Sequence, residues 1–186
     1  LPLGNRYSFF SPAALACEAR LGFPAAVPRI ATGGWERLER VAPDMHAAIA
    51  PLLRSPWPLV EALDDSPHAF LHGDWKLGNL GSHADGRTIL VDWSVPGSGP
   101  PLAELAHYLA LNNARFPEAH TKDDAIGVYR AALEAQGVAT DSWWDRQLAL
   151  SLLAIMVLLG WEKSFDDTGV ERAWWSARVR AGLEYL

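Results

Sequence analysis

The sequence has one cysteine, Cys17, in 186 residues. A single thiol excludes an internal disulfide framework and a cysteine-rich zinc site, and it fits a reducing compartment. Lysine is nearly as scarce, with Lys76, Lys122 and Lys163 the full set. Basic residues number 16 against 22 acidic ones, a net charge of −6. The chain therefore lacks the basic surface that a phosphate-backbone reader needs, and no nucleic-acid partner is expected. Long apolar runs are missing too. The most apolar stretch, Leu148 to Trp161, has 14 residues and contains Ser151 and Gly160, against about 20 for a helix that spans a bilayer. It reads as a buried core helix, and no membrane partner is expected. The opening residues LPLGNRYSFF show no basic segment followed by a long apolar one, so no signal peptide is visible. A cytoplasmic location is the expectation. No repeat period, low-complexity tract or block of like charge breaks the chain.

What is present is ordinary globular composition, 49% hydrophobic and 20% charged, in a length that makes about one domain. Nine tryptophans are a high number and predict large buried plates or an aromatic-lined cleft. The punctuation is mostly helical. Ser11-Pro12 predicts a helix start, with helix through Ala13–Leu21 and a stop at Gly22. Gly22 to Gly34 reads as a Pro/Gly-rich connector. A helix is expected from about Trp35 to Leu53, broken at Pro43 and kinked or ended at Pro51, with a short helical turn over Leu59–Leu63.

The character changes at Phe70. FLHGDWKLGNLG reads as a short strand running into a glycine-rich loop. An Asp-Gly turn signal in ADGR (84–87) followed by TILVDW predicts a hairpin over 79–93. VPGSGPP (95–101) reads as a loop, and a helix is expected from near Leu102 to near Asn112. Thr121 and Asp124 fit a capping box that opens a helix ending at Gly137. Asp141 or Ser142 is expected to cap the next helix, apolar nearly all round, and a last helix covers 171–186. The expected fold class is mainly α with a small β-hairpin: one domain, 1–186, with its chemistry in the polar centre at 71–101.

Within that centre, His72-Gly73-Asp74-Trp75-Lys76-Leu77-Gly78-Asn79 has the form H-x-D-x4-N, and Asp92 follows at the end of an apolar strand. Phosphoryl transfer needs a carboxylate to take the proton of the attacking hydroxyl, oxygen ligands for Mg²⁺ on the nucleotide phosphates, and a cation for the transferring group. Magnesium takes hard oxygen donors and usually one or two carboxylates from the protein. Asp74 is the candidate base, Asn79 and Asp92 the candidate metal ligands, and Lys76 the candidate phosphate contact. His72 is expected to brace the loop, while Gly73 and Gly78 permit tight turns beside the base. Singly, Asp74 and Asn79 are ordinary turn residues and Asp92 an ordinary strand end. That accounts for each residue but not for their joint spacing. A metal hydrolase fits worse, since no H-E-x-x-H and no helical i, i+4 histidine pair occurs. Nor is there a G-x-S-x-G nucleophile motif.

LHGDWKLGNLG followed by ILVDW resembles the aminoglycoside phosphotransferase and choline kinase group, relatives of the protein kinases. The resemblance is sharp over about 71–110. It implies that Asp74 is the catalytic base, that Asn79 and Asp92 bind metal, and that ATP with Mg²⁺ is used. GSGPPLAELAHYLA (97–110) resembles the family's G-D-P-x-x-D-L-A segment, with Pro100 where Asp is frequent and Glu104 in place of the usual Asp. Glu104 is expected to orient the loop. The family places its nucleotide between two lobes, and before His72 this sequence has no lysine and no G-x-G-x-x-G. The expectation is a C-terminal lobe alone, in keeping with a first residue that is not Met. Its partners would be the missing N-terminal nucleotide-binding lobe of the same polypeptide and a small-molecule hydroxyl acceptor. On that basis the isolated chain is expected to be inactive.

The acceptor classes implied are aminoglycosides, sugars and amino alcohols. Tryptophans 143, 144, 161, 174 and 175 lie where the family builds its acceptor pocket, and at least one is expected to line it. Aromatic faces suit sugars and, through cation–π contact, amines. Two alternatives stand beside the enzyme: a non-catalytic binding or dimerisation module, and self-association into a homo-oligomer through uncovered lobe surface.

Overall fold

The computed structural model describes Cys17, Arg20, Leu21 and residues 26–112 and 120–186. Of the first expected helix, Cys17 and Arg20 are helical, and the Leu21 N–H donates to the Cys17 carbonyl at 3.0 Å. Its start at Ser11-Pro12 and its stop at Gly22 lie outside the described residues.

Seven helices and two small antiparallel sheets follow. Helix α1 (Ala26–Val41) begins well before Trp35 and takes in most of the expected connector. Pro28 sits in its first turn, where a backbone N–H has no partner to lose. Gly34 is a packing residue and not a turn: a Cβ there would lie 2.8 Å from the Trp161 carbonyl oxygen. Tertiary contact thus overrides the weak helix propensity of the Gly33-Gly34 pair. Pro43 occupies the first turn of α2 (Pro43–Arg54), and Pro51 sits inside it. The helix runs three residues past Pro51 before it ends. Helix α3 covers Trp57–Asp64.

Strand β1 (Ala69–Leu71) leads into the glycine-rich loop and a single 3-10 turn at Leu77–Asn79. Strands β2 (Leu80–Ser82) and β3 (Thr88–Leu90) form the expected hairpin, in the register Leu80 to Leu90 and Ser82 to Thr88. Gly86 has φ +86° in its turn, the conformation that the Asp-Gly signal anticipates. The stretch expected to be all loop contains strand β4 (Gly97–Gly99), which pairs antiparallel with β1, Leu71 opposite Gly97 and Ala69 opposite Gly99. A side chain at Gly99 would press on Leu71, its Cβ 3.0 Å from Cδ1.

Helix α4 is Pro101–Leu111. Helix α5 (Lys122–Ala135) carries the capping box in full. Thr121 Oγ1 accepts from the Asp124 N–H at 3.1 Å, and Asp124 Oδ2 accepts from the Thr121 N–H at 2.8 Å. The expected side-chain cap on α6 (Trp144–Leu159) is absent; its first flanking residue is Trp143. Arg130 draws the Asp141 carboxylate away at 2.7 Å, while the Thr140 carbonyl takes the Trp143 and Trp144 N–H groups. A 3-10 segment (Gly160–Phe165) prolongs α6. The helical run Trp144–Phe165 is therefore longer than the apolar stretch alone indicates. By length and composition it could cross a membrane, yet 67% of its most apolar window is buried inside the fold. Helix α7 is Val170–Leu183.

The core is built around α6, whose residues from Leu150 to Leu159 are all buried. Leu38, Ile49, Leu59, Leu63, Leu105, Leu109 and Trp175 close around it. Helix α7 approaches α6 so closely at Gly182 that a Cβ would sit 2.6 Å from Leu153 Cβ. Charge is buried beside this core. Glu171 pairs with Lys122 and, at 3.5 Å, with Lys163, while Trp175 Nε1 donates to its Oε1 at 2.7 Å. Two of the three lysines are thus committed to packing, which leaves Lys76 as the one in the central loop. The fold is mainly helical with small antiparallel sheets, as expected.

Candidate active site

The loop between β1 and the hairpin is held from two sides. Helix α4 grips it first. Glu104 accepts the His72 N–H at 2.9 Å on one carboxylate oxygen and the Gly73 N–H at 2.6 Å on the other. Gly73 turns the chain at φ +85°, a conformation that favours glycine. One turn along α4, His107 Nδ1 lies 3.3 Å from the Trp75 carbonyl oxygen. At the end of the helix, Asn112 Oδ1 accepts the Leu77 N–H at 3.1 Å. His107 and Asn112 are loop contacts that the sequence reading misses. The available signal was helical spacing, since positions three and four apart share a face and Glu104 had already been placed on the loop.

The hairpin grips the other side. His72 Nε2 donates to the Val91 carbonyl at 2.8 Å, and its Nδ1 accepts the Asp74 N–H at 3.2 Å. A neutral imidazole satisfies both bonds at once, with the proton on Nε2. The Val91 N–H donates to the Asn79 carbonyl at 3.0 Å. Val91 is thus tied to both ends of the H-x-D-x4-N string, and Asp92 is the next residue. The Trp93 ring packs on His72 with centroids 4.5 Å apart. Asp92 is exposed and has φ 62°, the one positive value outside glycine among the described residues. Aspartate tolerates this region better than most residues, and strained backbone of this kind gathers at functional sites.

At the centre stands the Asp74 carboxylate. Its Oδ2 takes Lys76 Nζ at 2.5 Å and Asn79 Nδ2 at 3.0 Å. The Asn79 amide also donates to the Asp74 carbonyl at 2.9 Å. Oδ1 faces His107 Nε2 at 3.7 Å. Partial burial pushes the Asp74 carboxyl up, but the hydrogen bond and charge of Lys76, the charge of His107 and the Asn79 amide outweigh it. The group is held below the ordinary aspartate value. The structure therefore brings Asp74, Lys76 and Asn79 into direct contact, with His72, Gly73 and Glu104 around them. Asp92 joins the group through its neighbour Val91.

A run of aromatic contacts starts at Trp75, the residue after Asp74. Trp75 lies 5.0 Å from Tyr108 and 6.0 Å from Tyr129, centroid to centroid, and Tyr129 lies 6.4 Å from Trp144. Burial, with the Glu104 charge as a second cause, raises the Tyr129 phenol above its ordinary value. Trp144 was among the tryptophans expected near the acceptor, but it is only 3% exposed, and Trp175 is fully buried. Both pack the helices.

The model of the phosphotransferase enzyme family, APH, matches residues 12–145, well over half of the chain. The chain belongs to this family. The resemblance drawn from the central motif is thereby borne out, and the match covers the loop, the hairpin and helix α4. No curated protein and no solved structure matches the chain. APH membership implies phosphotransferase activity in general.

Proposed function

We propose that the chain is the catalytic and acceptor-binding lobe of a small-molecule kinase, moving the γ-phosphate of ATP to a hydroxyl of an aminoglycoside, sugar or amino alcohol. The observation that carries this reading is the contact of the Asp74 carboxylate with Lys76 and Asn79, in a loop tied through Val91 to the Asp92 segment. Asp74 accepts the proton of the attacking hydroxyl. Its Oδ2 already takes two donors, so Oδ1 is the oxygen left for that proton. Lys76 sits on the base and can turn from the carboxylate to a phosphate oxygen, since its ammonium is a point charge on a flexible stem.

Asn79 and Asp92 are the residues suited to hold Mg²⁺, which when bound would offset negative charge on the nucleotide phosphates. The donor chemistry fits: one carboxylate and one amide oxygen are hard ligands. Among the described residues, no group of three or more acidic, histidine or cysteine side chains is placed to hold a metal ion. Magnesium needs no such cluster, because phosphate and water complete its shell. His72, Gly73 and Glu104 fix the loop, so the base is presented in one geometry. On this reading the adenine pocket and a phosphate-clamping lysine belong to a companion nucleotide-binding lobe.

The test is ADP release from Mg-ATP by the intact protein across a panel of aminoglycosides, sugars and amino alcohols, with Asp74→Ala as the control. The variant is expected to lower kcat roughly 100-fold or more, the usual scale for a general base. An unchanged kcat removes Asp74 from the base role. Silence across the whole panel favours the non-catalytic binding module.

A further inference from the structure

Three residues of α4 and the residue that follows it meet the loop in chain order. Glu104 holds the backbone of His72 and Gly73, His107 meets Trp75, Tyr108 packs at a tilt against the Trp75 ring, and Asn112 holds Leu77. Three of them act on backbone or ring. His107 alone among them also faces the reacting carboxylate. Its side chain is 11% exposed and its Nε2 lies 3.7 Å from Asp74 Oδ1.

The ring's orientation follows from its other nitrogen. A backbone carbonyl can only accept a hydrogen bond, so Nδ1 carries the proton that it directs at the Trp75 oxygen. The Nε2 edge is then the one turned to Asp74, and since a carboxylate oxygen can also only accept, it holds Oδ1 as the second N–H of an imidazolium. We propose that His107 is a positioning residue for the base, holding Asp74 Oδ1 in place from helix α4 while Lys76 and Asn79 hold Oδ2. This rests on the reading of Asp74 as the base. Without His107 the carboxylate keeps its two donors on Oδ2 but loses its neighbour on the oxygen that must meet the acceptor. It is then free to rotate about its last bond, and misplacement of a catalytic group by about an ångström can cost up to 100-fold in rate.

Two experiments test the proposal. The first needs no activity. Imidazole ¹⁵N spectra of the chain, with His107 assigned by its loss in His107→Asn, read which nitrogens carry protons. The expected result is a proton on both nitrogens and an Nε2 resonance that moves in Asp74→Asn while the other histidines stay in place. A bare Nδ1, a bare Nε2, or an Nε2 resonance indifferent to Asp74→Asn overturns the proposal. The second experiment splits the two ring edges by ADP release from Mg-ATP in the intact protein. Asparagine can reproduce the Nδ1 bond to Trp75 but not the Nε2 edge; glutamine can reproduce the Nε2 edge. His107→Asn is expected to lower kcat roughly 10-fold with KM for ATP unchanged, and His107→Gln to recover most of it. Equal kcat in His107→Asn and wild type overturns the proposal. The base reading stands or falls separately. If Asp74→Ala abolishes transfer while His107 is indifferent, only the positioning role is lost. If His107 responds to Asp74→Asn while Asp74→Ala leaves transfer intact, the base reading is what fails.

Discussion

His72 Nε2 donates to the Val91 carbonyl at 2.8 Å, joining the residue two before Asp74 to the residue just before Asp92. The ring spans the loop and the hairpin, and its second nitrogen takes the Asp74 N–H. His72 is only 3% exposed, and its removal leaves the Val91 carbonyl without this part-buried donor. His72→Ala is expected to lose about 2 kcal/mol of stability, the scale of two buried hydrogen bonds less partial relaxation. The loss should concentrate in the hairpin. Amide exchange is the check: the Val91 N–H, bonded to the Asn79 carbonyl, should exchange faster, while amides in the centre of α6 follow only the global change. Uniform exchange across both would show that His72 does not tie the hairpin.

Glu104 gives a sharper version of the same argument. Its two carboxylate oxygens each accept one loop N–H, from His72 and Gly73, and both residues are buried. Hydrogen bonds to a charged acceptor are worth more than neutral ones, and orphaned buried donors cost extra. Glu104→Ala should therefore destabilise by about 3 kcal/mol and lower kcat with it. Glu104→Gln retains one acceptor and turns an amide N–H₂ toward the other donor, so it should fall between alanine and wild type. Urea unfolding of the three proteins gives the order. A glutamine variant as stable as wild type would mean that only one of the two bonds matters.

Lys76 has two separable effects on Asp74. Burial pushes the carboxyl up and Lys76 is the foremost group pulling it down, with a net lowering. A lowered folded-state value means that the ionised base persists well into acid. Any stability from these contacts is present above the ordinary aspartate value and is lost as pH falls through the folded-state value. Lys76→Met leaves burial opposed only by His107 and Asn79, so the carboxyl rises. With Asp74 as the proposed base, the acid limb of kcat/KM should move to higher pH, while the plateau falls through loss of the proposed phosphate contact. Paired pH–rate profiles separate the two. A lower plateau with an unmoved acid limb would leave Lys76 on the phosphate and off the base.

The parts of this protein that sequence made legible are those whose signals are local. Thr121 and Asp124 cap one another across a single turn, Asp85-Gly86 closes a hairpin, and Leu150–Leu159 is apolar nearly all round. Asp74, Lys76 and Asn79 lie within six positions and meet in one loop. What escaped depends on distant partners. Gly34 looks like a turn until Trp161 is packed against it. Gly97–Gly99 looks like loop until β1 supplies a ladder. Asp141 looks like a cap until Arg130 takes its carboxylate. His107 lies 32 positions from Trp75, so no local pattern could pair them, although its spacing from Glu104 put both on one face of α4.

The lysines away from the loop make the last case. Glu171 lies between Lys122 and Lys163, with side-chain exposures of 9%, 8% and 3%. Lys163 also meets Glu162 at 2.6 Å and donates to the Ala110 carbonyl at 2.5 Å. Two ammonium groups therefore depend on one buried carboxylate and one partly exposed one. Taking charge from water is costly, and breaking a buried pair by removing one partner typically costs about 3–5 kcal/mol. Glu171→Gln should lose an amount of that order, because the glutamine keeps an acceptor for Trp175 Nε1 but leaves excess positive charge in the helical core. Adding Lys122→Met should recover part of the loss, since an apolar side chain of similar length removes the stranded ammonium. Urea unfolding of wild type, the single variant and the double variant decides it. A single variant that unfolds with wild type would mean that the cluster is open to water, and an additive double variant would mean that Lys122 and Glu171 do not act as a pair.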